Sequence, residues 1–201
     1  NSSESAELVV STFSNEETRI RNILSKSLLE GFQEIEELVL SILNSQQFRD
    51  DCASVTGETA AQFVLRRGKY LWWLSVGDCL LYVLHPELQA LGEVQLNQRS
   101  FYEWIGEVNT FDLPVPSYSR GIKELRKGDN HILLTTDGLI ECPSEPFKDP
   151  SDIFRLFSGR TIDEGVQNLL TEIEKRHVRD STTILTWKVH ISENAMSPSN
   201  A

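Results

Sequence analysis

The spacing of apolar residues changes from helical to strand-like near Thr56, and that change limits the chain to a mixed helix-and-sheet fold. Upstream, Ile20, Ile23, Leu24, Leu28, Phe32, Ile35, Leu38, Val39 and Ile42 recur at helical spacing. The pattern predicts one long amphipathic helix over residues 16–43, with Glu30, Glu34, Glu36 and Glu37 mostly facing water. Ser14-Asn15-Glu16-Glu17 matches a capping box at its start, and Ser3 to Phe13 reads as a short helix before it. Downstream, Thr59 to Arg66, Tyr70 to Val76 and Cys79 to Leu84 read as strands, with a turn at Arg67-Gly68-Lys69. His85-Pro86-Glu87 turns into Leu88 to Leu91, so the stretch as a whole predicts an antiparallel meander.

Glu93 to Ser119 reads as an irregular excursion with a short helix around Phe101 to Ile105. Gly121 to Leu125 predicts a strand, residues 127–130 a turn, and His131 to Thr136 a central strand. Pro150 stands at the first position of a predicted helix. Thr161-Ile162-Asp163-Glu164 is a second capping box, opening a helix with Val166, Leu169, Leu170 and Ile173 on its inner face. Ser181 to Val189 is a last strand. With no repeat and no break in composition, residues 1–191 are expected to form a single domain and residues 192–201 a flexible polar tail. Layers of helix on both sides of packed antiparallel sheets satisfy this order, an α+β sandwich of α-β-β-α type.

Three aspartates sit where apolar runs begin or end. Asp137 follows Leu133-Leu134-Thr135-Thr136, Asp78 follows Leu71 to Gly77, and Asp180 precedes Ser181 to Trp187. Carboxylates at strand ends, far apart in sequence, can converge in space. Oxygen-only clusters of that kind bind hard divalent cations such as magnesium or manganese. Each aspartate alone also fits an ordinary turn or loop exit. His85, His131, His177 and His190 lack ligand spacing and read as solvated or structural. Trp72-Trp73 reads as one ring packed into each face of a buried strand. Cys79 has no partner base in view, and the carboxylate beside it disfavours a thiolate.

The formal net charge of −11 argues against a nucleic-acid surface, because phosphates would be repelled. No apolar run approaches the ~20 residues that cross a membrane. The three cysteines, Cys52, Cys79 and Cys142, are widely spaced and odd in number, which disfavours a disulfide framework and points to a reducing cytoplasm.

The motifs resemble those of the protein phosphatase 2C family, the metal-dependent Ser/Thr phosphatases. Val76-Gly77-Asp78-Cys79 is similar to the family's Val-Gly-Asp-Ser hairpin. Lys127-Gly128-Asp129 followed by Leu133 to Glu141 is similar to its Gly-Asp and Leu-Leu-x-x-(Ser/Thr)-Asp-Gly-Leu stretch. Arg179-Asp180-Ser181-Thr182-Thr183 resembles its Asp-Asn-x-(Ser/Thr) stretch, and Thr56-Gly57-Glu58-Thr59-Ala60 resembles the Gly-x-Thr-Ala start of a family strand. The segments fall in family order over nearly the whole chain.

The resemblance implies two metal ions, Mn2+ or Mg2+, at the edge of a β-sandwich, and a bridging water that attacks phosphorus. It implies Asp137 and Asp180 as core metal ligands, Asp78 as a ligand with Asp137 of a third, weaker ion, and Gly138 as the point of close backbone approach. No catalytic residue apart from the metal ligands is implied. The expected substrate is a phosphoserine or phosphothreonine protein, and the compact chain resembles bacterial members. Three departures stand out. Ser181 stands for the usual Asn, Cys79 stands for Ser, and the family's N-terminal strands, with a metal-bridging Asp and a phosphate-binding Arg, are expected before Asn1. A non-catalytic regulatory or interaction domain with an incomplete metal site is therefore the alternative expectation.

Overall fold

The computed structural model describes residues 3–197. Asn1, Ser2 and residues 198–201 of the expected tail lie outside the described residues. The chain divides into two compact units. The first takes residues up to Arg67, with Trp72–Gly77 and Arg99–Gly121. The second takes Gly68–Leu71, Asp78–Gln98 and the chain from Ile122 onward.

The first unit opens with helices α1 (Ser3–Asn15), α2 (Glu17–Leu24), α3 (Leu28–Leu43) and α4 (Gln46–Ser54). The long helix expected over 16–43 is thus broken at residues 25–27. Ser27 caps α3, its hydroxyl accepting from the Glu30 N–H at 3.4 Å. The Arg67 guanidinium donates to the carbonyls of Ser27 (2.9 Å), which also accepts the first bond of α3 from Gly31, and of Lys26 (2.8 Å), which a continuing helix would have used. Ser14 lies inside α1 and caps nothing. Glu16 precedes α2 without a side-chain cap, so the expected capping box does not form. Helix α4 has Ser45 as its cap and buries Phe48 and Cys52.

The expected strand from Thr59 splits into β1 (Glu58–Thr59) and β2 (Ala61–Arg67). Strand β1 pairs antiparallel with β5 (Ile105–Gly106), which replaces the helix expected at Phe101 to Ile105. Strands β2, β3 (Tyr70–Val76) and β6 (Ser119–Glu124) form a sheet in that order. The two residues between β2 and β3 leave room only for a hairpin, and Gly68 takes its left-handed position at φ +56°. Both tryptophans of β3 are buried, and the Trp72 indole donates to Glu36 at 3.3 Å.

The second unit holds a sheet with the order β4 (Leu80–Leu84), β7 (Gly128–Thr135), β8 (Ile184–Ile191), antiparallel throughout. Strand β7 is central, as its sequence predicts, but it begins at Gly128 and so takes in residues expected as a turn. Leu80, Tyr82, Leu84 and Leu133 share one face and pack with Ile153 and Phe157 of α6 (Pro150–Phe157) and with Leu169 and Ile173 of α7 (Ile162–Lys175). Each such leucine contributes roughly 1.5–3 kcal/mol by leaving water. The capping box on Thr161 and Glu164 is present in both directions. Leu170, expected inside, is 37% exposed.

Leu88 to Leu91 belongs to helix α5 (Pro86–Leu91), not to the meander. His85 caps it and Pro86 starts it, a combination that favours a helix over a strand. Of the expected tail, Met196 donates its N–H to Glu124 at 3.0 Å, and Glu193 lies 3.7 Å from Lys69. Among the described residues, seven α-helices and eight strands make a mixed fold of helices and antiparallel sheets.

Candidate functional site

One rung of the second unit's sheet brings the three aspartates to a common edge. Leu80 at the start of β4 lies opposite Thr135 at the end of β7, and Thr135 lies opposite Ile184 at the start of β8. Asp78 stands two residues before that rung, Asp137 two after it and Asp180 four before it. All three therefore leave the sheet at the same edge. Asp78 and Asp137 are half-buried and Asp180 is exposed.

The chain beyond the rung ties Asp137 and Asp180 together. Thr136 donates its N–H to the Thr183 carbonyl at 3.2 Å, and the Thr183 N–H donates to the Thr136 hydroxyl at 3.0 Å. The same hydroxyl donates to the Ser181 carbonyl at 3.2 Å. The Thr136–Thr183 pair extends the β7–β8 register by one step, but its return bond goes to the Thr136 hydroxyl instead of the carbonyl, so β8 begins at Ile184 rather than at Ser181. Asp137 then starts a single 3-10 turn, and its carbonyl accepts from Ile140 and Glu141, each at 2.9 Å. Gly138 is buried. A Cβ placed there would stand 2.6 Å from the Thr182 hydroxyl oxygen, 3.0 Å from the Ser181 carbonyl and 3.1 Å from the Asp180 carbonyl. Glycine is required at this place by a close approach of two backbones.

Asp78 is set from both sides of its own loop. Gly77 has φ +86°, and a Cβ there would meet Ala60 at 2.8 Å. On the far side, buried Asn97 accepts from the Leu81 N–H and donates to the Cys79 carbonyl, both at 2.7 Å. Sequence reasoning missed Asn97. It sits in a run of Asn and Gln that reads as an irregular loop, and nothing local marks its side chain as a clamp.

The donors at this edge suit a hard cation in kind. They are carboxylate, carbonyl and hydroxyl oxygens, and the buried Thr182 hydroxyl oxygen beside Gly138 has no hydrogen-bond partner. Asp180 and Thr182, with Glu174 and His177, line a recess of about 540 Å³. In number the donors fall short: among the described residues, no three His, Cys, Asp or Glu side chains group closely enough to hold a metal ion. The remaining singled-out residues do other work. His85 and His131 are buried, His190 lies 2.7 Å from Asp129, and Cys52, Cys79 and Cys142 are free thiols. Burial pushes the Cys52 thiol up to about 11.

No protein-family model matches the chain. No curated protein sequence matches it. Solved structures do. A bacterial serine phosphatase carrying an arginine-to-alanine substitution superposes with a TM-score of 0.62 at 18% identity, over 82% of this chain and 69% of that one. The serine/threonine phosphatase of S. agalactiae superposes with a TM-score of 0.56 at 17% identity, over 80% and 72%. The catalytic domain of the serine/threonine protein phosphatase PstP, in complex with two manganese ions, superposes with a TM-score of 0.52 at 16% identity, over 72% and 67%. At such identities the likeness is one of fold: the chain has the mixed helix-and-antiparallel-sheet fold of these bacterial serine/threonine phosphatases.

Proposed function

We propose that this chain carries a metal-dependent protein serine/threonine phosphatase domain, spanning residues 1–191 as one domain and working in the cytoplasm. The observation that carries the reading is the shared sheet edge of Asp78, Asp137 and Asp180 on a fold found in a manganese-bound phosphatase catalytic domain. In this reading Asp137 and Asp180 hold Mn2+ or Mg2+, Asp78 adds a weaker ligand, and the Gly138 backbone closes the site. A divalent cation held there would supply an acidified water and neutralise phosphoryl charge. The chain's own part is to fix the ligands. The Thr136 to Thr183 bonds lock the two carboxylate-bearing turns together, and Asn97 holds the Asp78 loop. No helix among the described residues is long and apolar enough to cross a membrane. The substrate class is phosphoserine or phosphothreonine in a protein.

Hydrolysis of para-nitrophenyl phosphate tests the proposal. Activity should appear with manganese or magnesium, vanish with chelator, and fall by nearly all of its value in Asp137→Asn, which keeps volume and deletes the charge that holds the ion. The second reading is the same fold acting as a non-catalytic regulatory module, which the shortage of clustered ligand side chains favours. Absence of both turnover and manganese binding in the intact protein would select that reading.

A further inference from the structure

We infer that the cavity between helix α6 and the Asp129 end of the β7–β8 pair is a binding site for a small organic anion carrying an apolar ring. Leu84, His131 and Lys188 form one cross-strand rung, so their side chains share a face. That rung lies four residues along β7 from the Thr135 rung of the aspartate edge, on the order of 13 Å at the usual strand rise. The cavity has a volume of about 430 Å³, within the size range of small-molecule sites. It does not rest on the phosphatase reading, because it uses none of those residues.

Its lining combines an apolar wall with two cations and one carboxylate. Leu84 and the rings of Phe154 and Phe157 supply the wall. Lys188 and Arg160 stand against a single carboxylate, Asp129. Asp129 is already engaged by Lys188 at 2.6 Å and by His190 at 2.7 Å. Arg160 makes no ion pair among the described residues; its Nη1 donates only to carbonyls, of Arg155 at 2.9 Å and of Leu156 and Ser158 at 3.4 Å. A guanidinium with no ion-pair partner in the lining, its nearest electrostatic partner being Glu164 outside it, on a wall with two phenyl rings suits a carboxylate or similar group on a flat apolar body.

His131 adds the second observation. It occupies a core-face position in line with Leu133, only 9% exposed, where an apolar residue would pack without cost. Its ring meets Phe157 edge-on at 5.6 Å, and its buried Nδ1 has no hydrogen-bond partner. A buried polar atom left unmet is costly, so its place in a cavity wall fits a site better than a core.

The test is titration of the 15N-labelled protein with benzoate, its neutral isostere benzamide, and inorganic phosphate, followed through the backbone amides of Gly159, His131 and Lys188. Benzoate should give saturable shifts at these amides, benzamide should bind about tenfold more weakly, and phosphate should give no saturable shift. Arg160→Gln should bring benzoate down to the benzamide level, and Arg160→Lys should restore part of the difference. Equal binding of benzoate and benzamide, phosphate binding as firmly as benzoate, or shifts confined to other residues would each overturn the inference. The comparison of the three ligands on the unaltered protein decides it even if Arg160→Gln does not fold.

Discussion

Gly138 shows how one residue ties local backbone to the candidate chemistry. Its missing Cβ lets the Asp137 turn lie against Asp180 to Thr182, and two of the three atoms in the way are backbone carbonyls that cannot swing aside. Gly138→Ala should therefore lower unfolding free energy by about 1–3 kcal/mol, as overpacking does, and should also separate the Asp137 and Asp180 turns. Urea unfolding reads the first effect and loss of manganese-dependent turnover the second. An unchanged urea midpoint would refute the close approach. His131 makes a different prediction. Burial, then the nearby Lys188, lowers its pKa below the ordinary ~6.5. Above that value both folded and unfolded chains carry it neutral. As pH falls below it, the unfolded chain takes up the proton first, so stability drops until the lowered folded value is reached. Asp129, held at about 2 mainly by Lys188 and then by His190, stays charged throughout this window and adds no slope of its own. The urea midpoint should decline between pH 7 and 5, and His131→Gln should flatten that decline.

Helix ends decide what the elements become. Thr161 and Glu164 satisfy each other's backbone N–H groups, whereas Ser14, in a sequence that matches the same motif, caps nothing. Thr161→Ala should cost roughly 1 kcal/mol and Ser14→Ala close to none, a contrast that paired urea unfolding curves resolve. The motif is legible in both places, but its outcome depends on whether the preceding residues are already helical. At Ser14 they are, since α1 runs to Asn15. The break between α2 and α3 has the same character. Ser27-Leu28-Leu29-Glu30 carries a cap signal inside an unbroken apolar stripe, and the Arg67 guanidinium, 40 residues away in sequence from Ser27, secures the break. Leu88 to Leu91 looks like a strand only while the His85 cap and Pro86 are ignored.

At the scale of the whole molecule, the metal proposal predicts a change in global stability as well as in turnover. A ligand that binds only the folded chain, at a hundredfold excess over its dissociation constant, raises unfolding free energy by about 2.7 kcal/mol. Saturating manganese should raise the unfolding midpoint relative to chelator, and Asp137→Asn should abolish the rise. An equal rise in both proteins would place the ion elsewhere. By itself the sequence determined the change from helical to strand period, the central strand that ends just before Asp137, the Thr161 cap and the hairpin at Gly68, because each depends on residues a few positions apart. It also marked Asp78, Asp137 and Asp180 as strand-end carboxylates. That these three leave one edge of one sheet was decided by the register of β4, β7 and β8. That Asn97 clamps the Asp78 loop, that Arg67 ends a helix, and that His131 lines a cavity were decided by tertiary packing as well. Register, clamps and cavities are set by the match of surfaces distant in sequence, and no local spacing encodes which surfaces will meet.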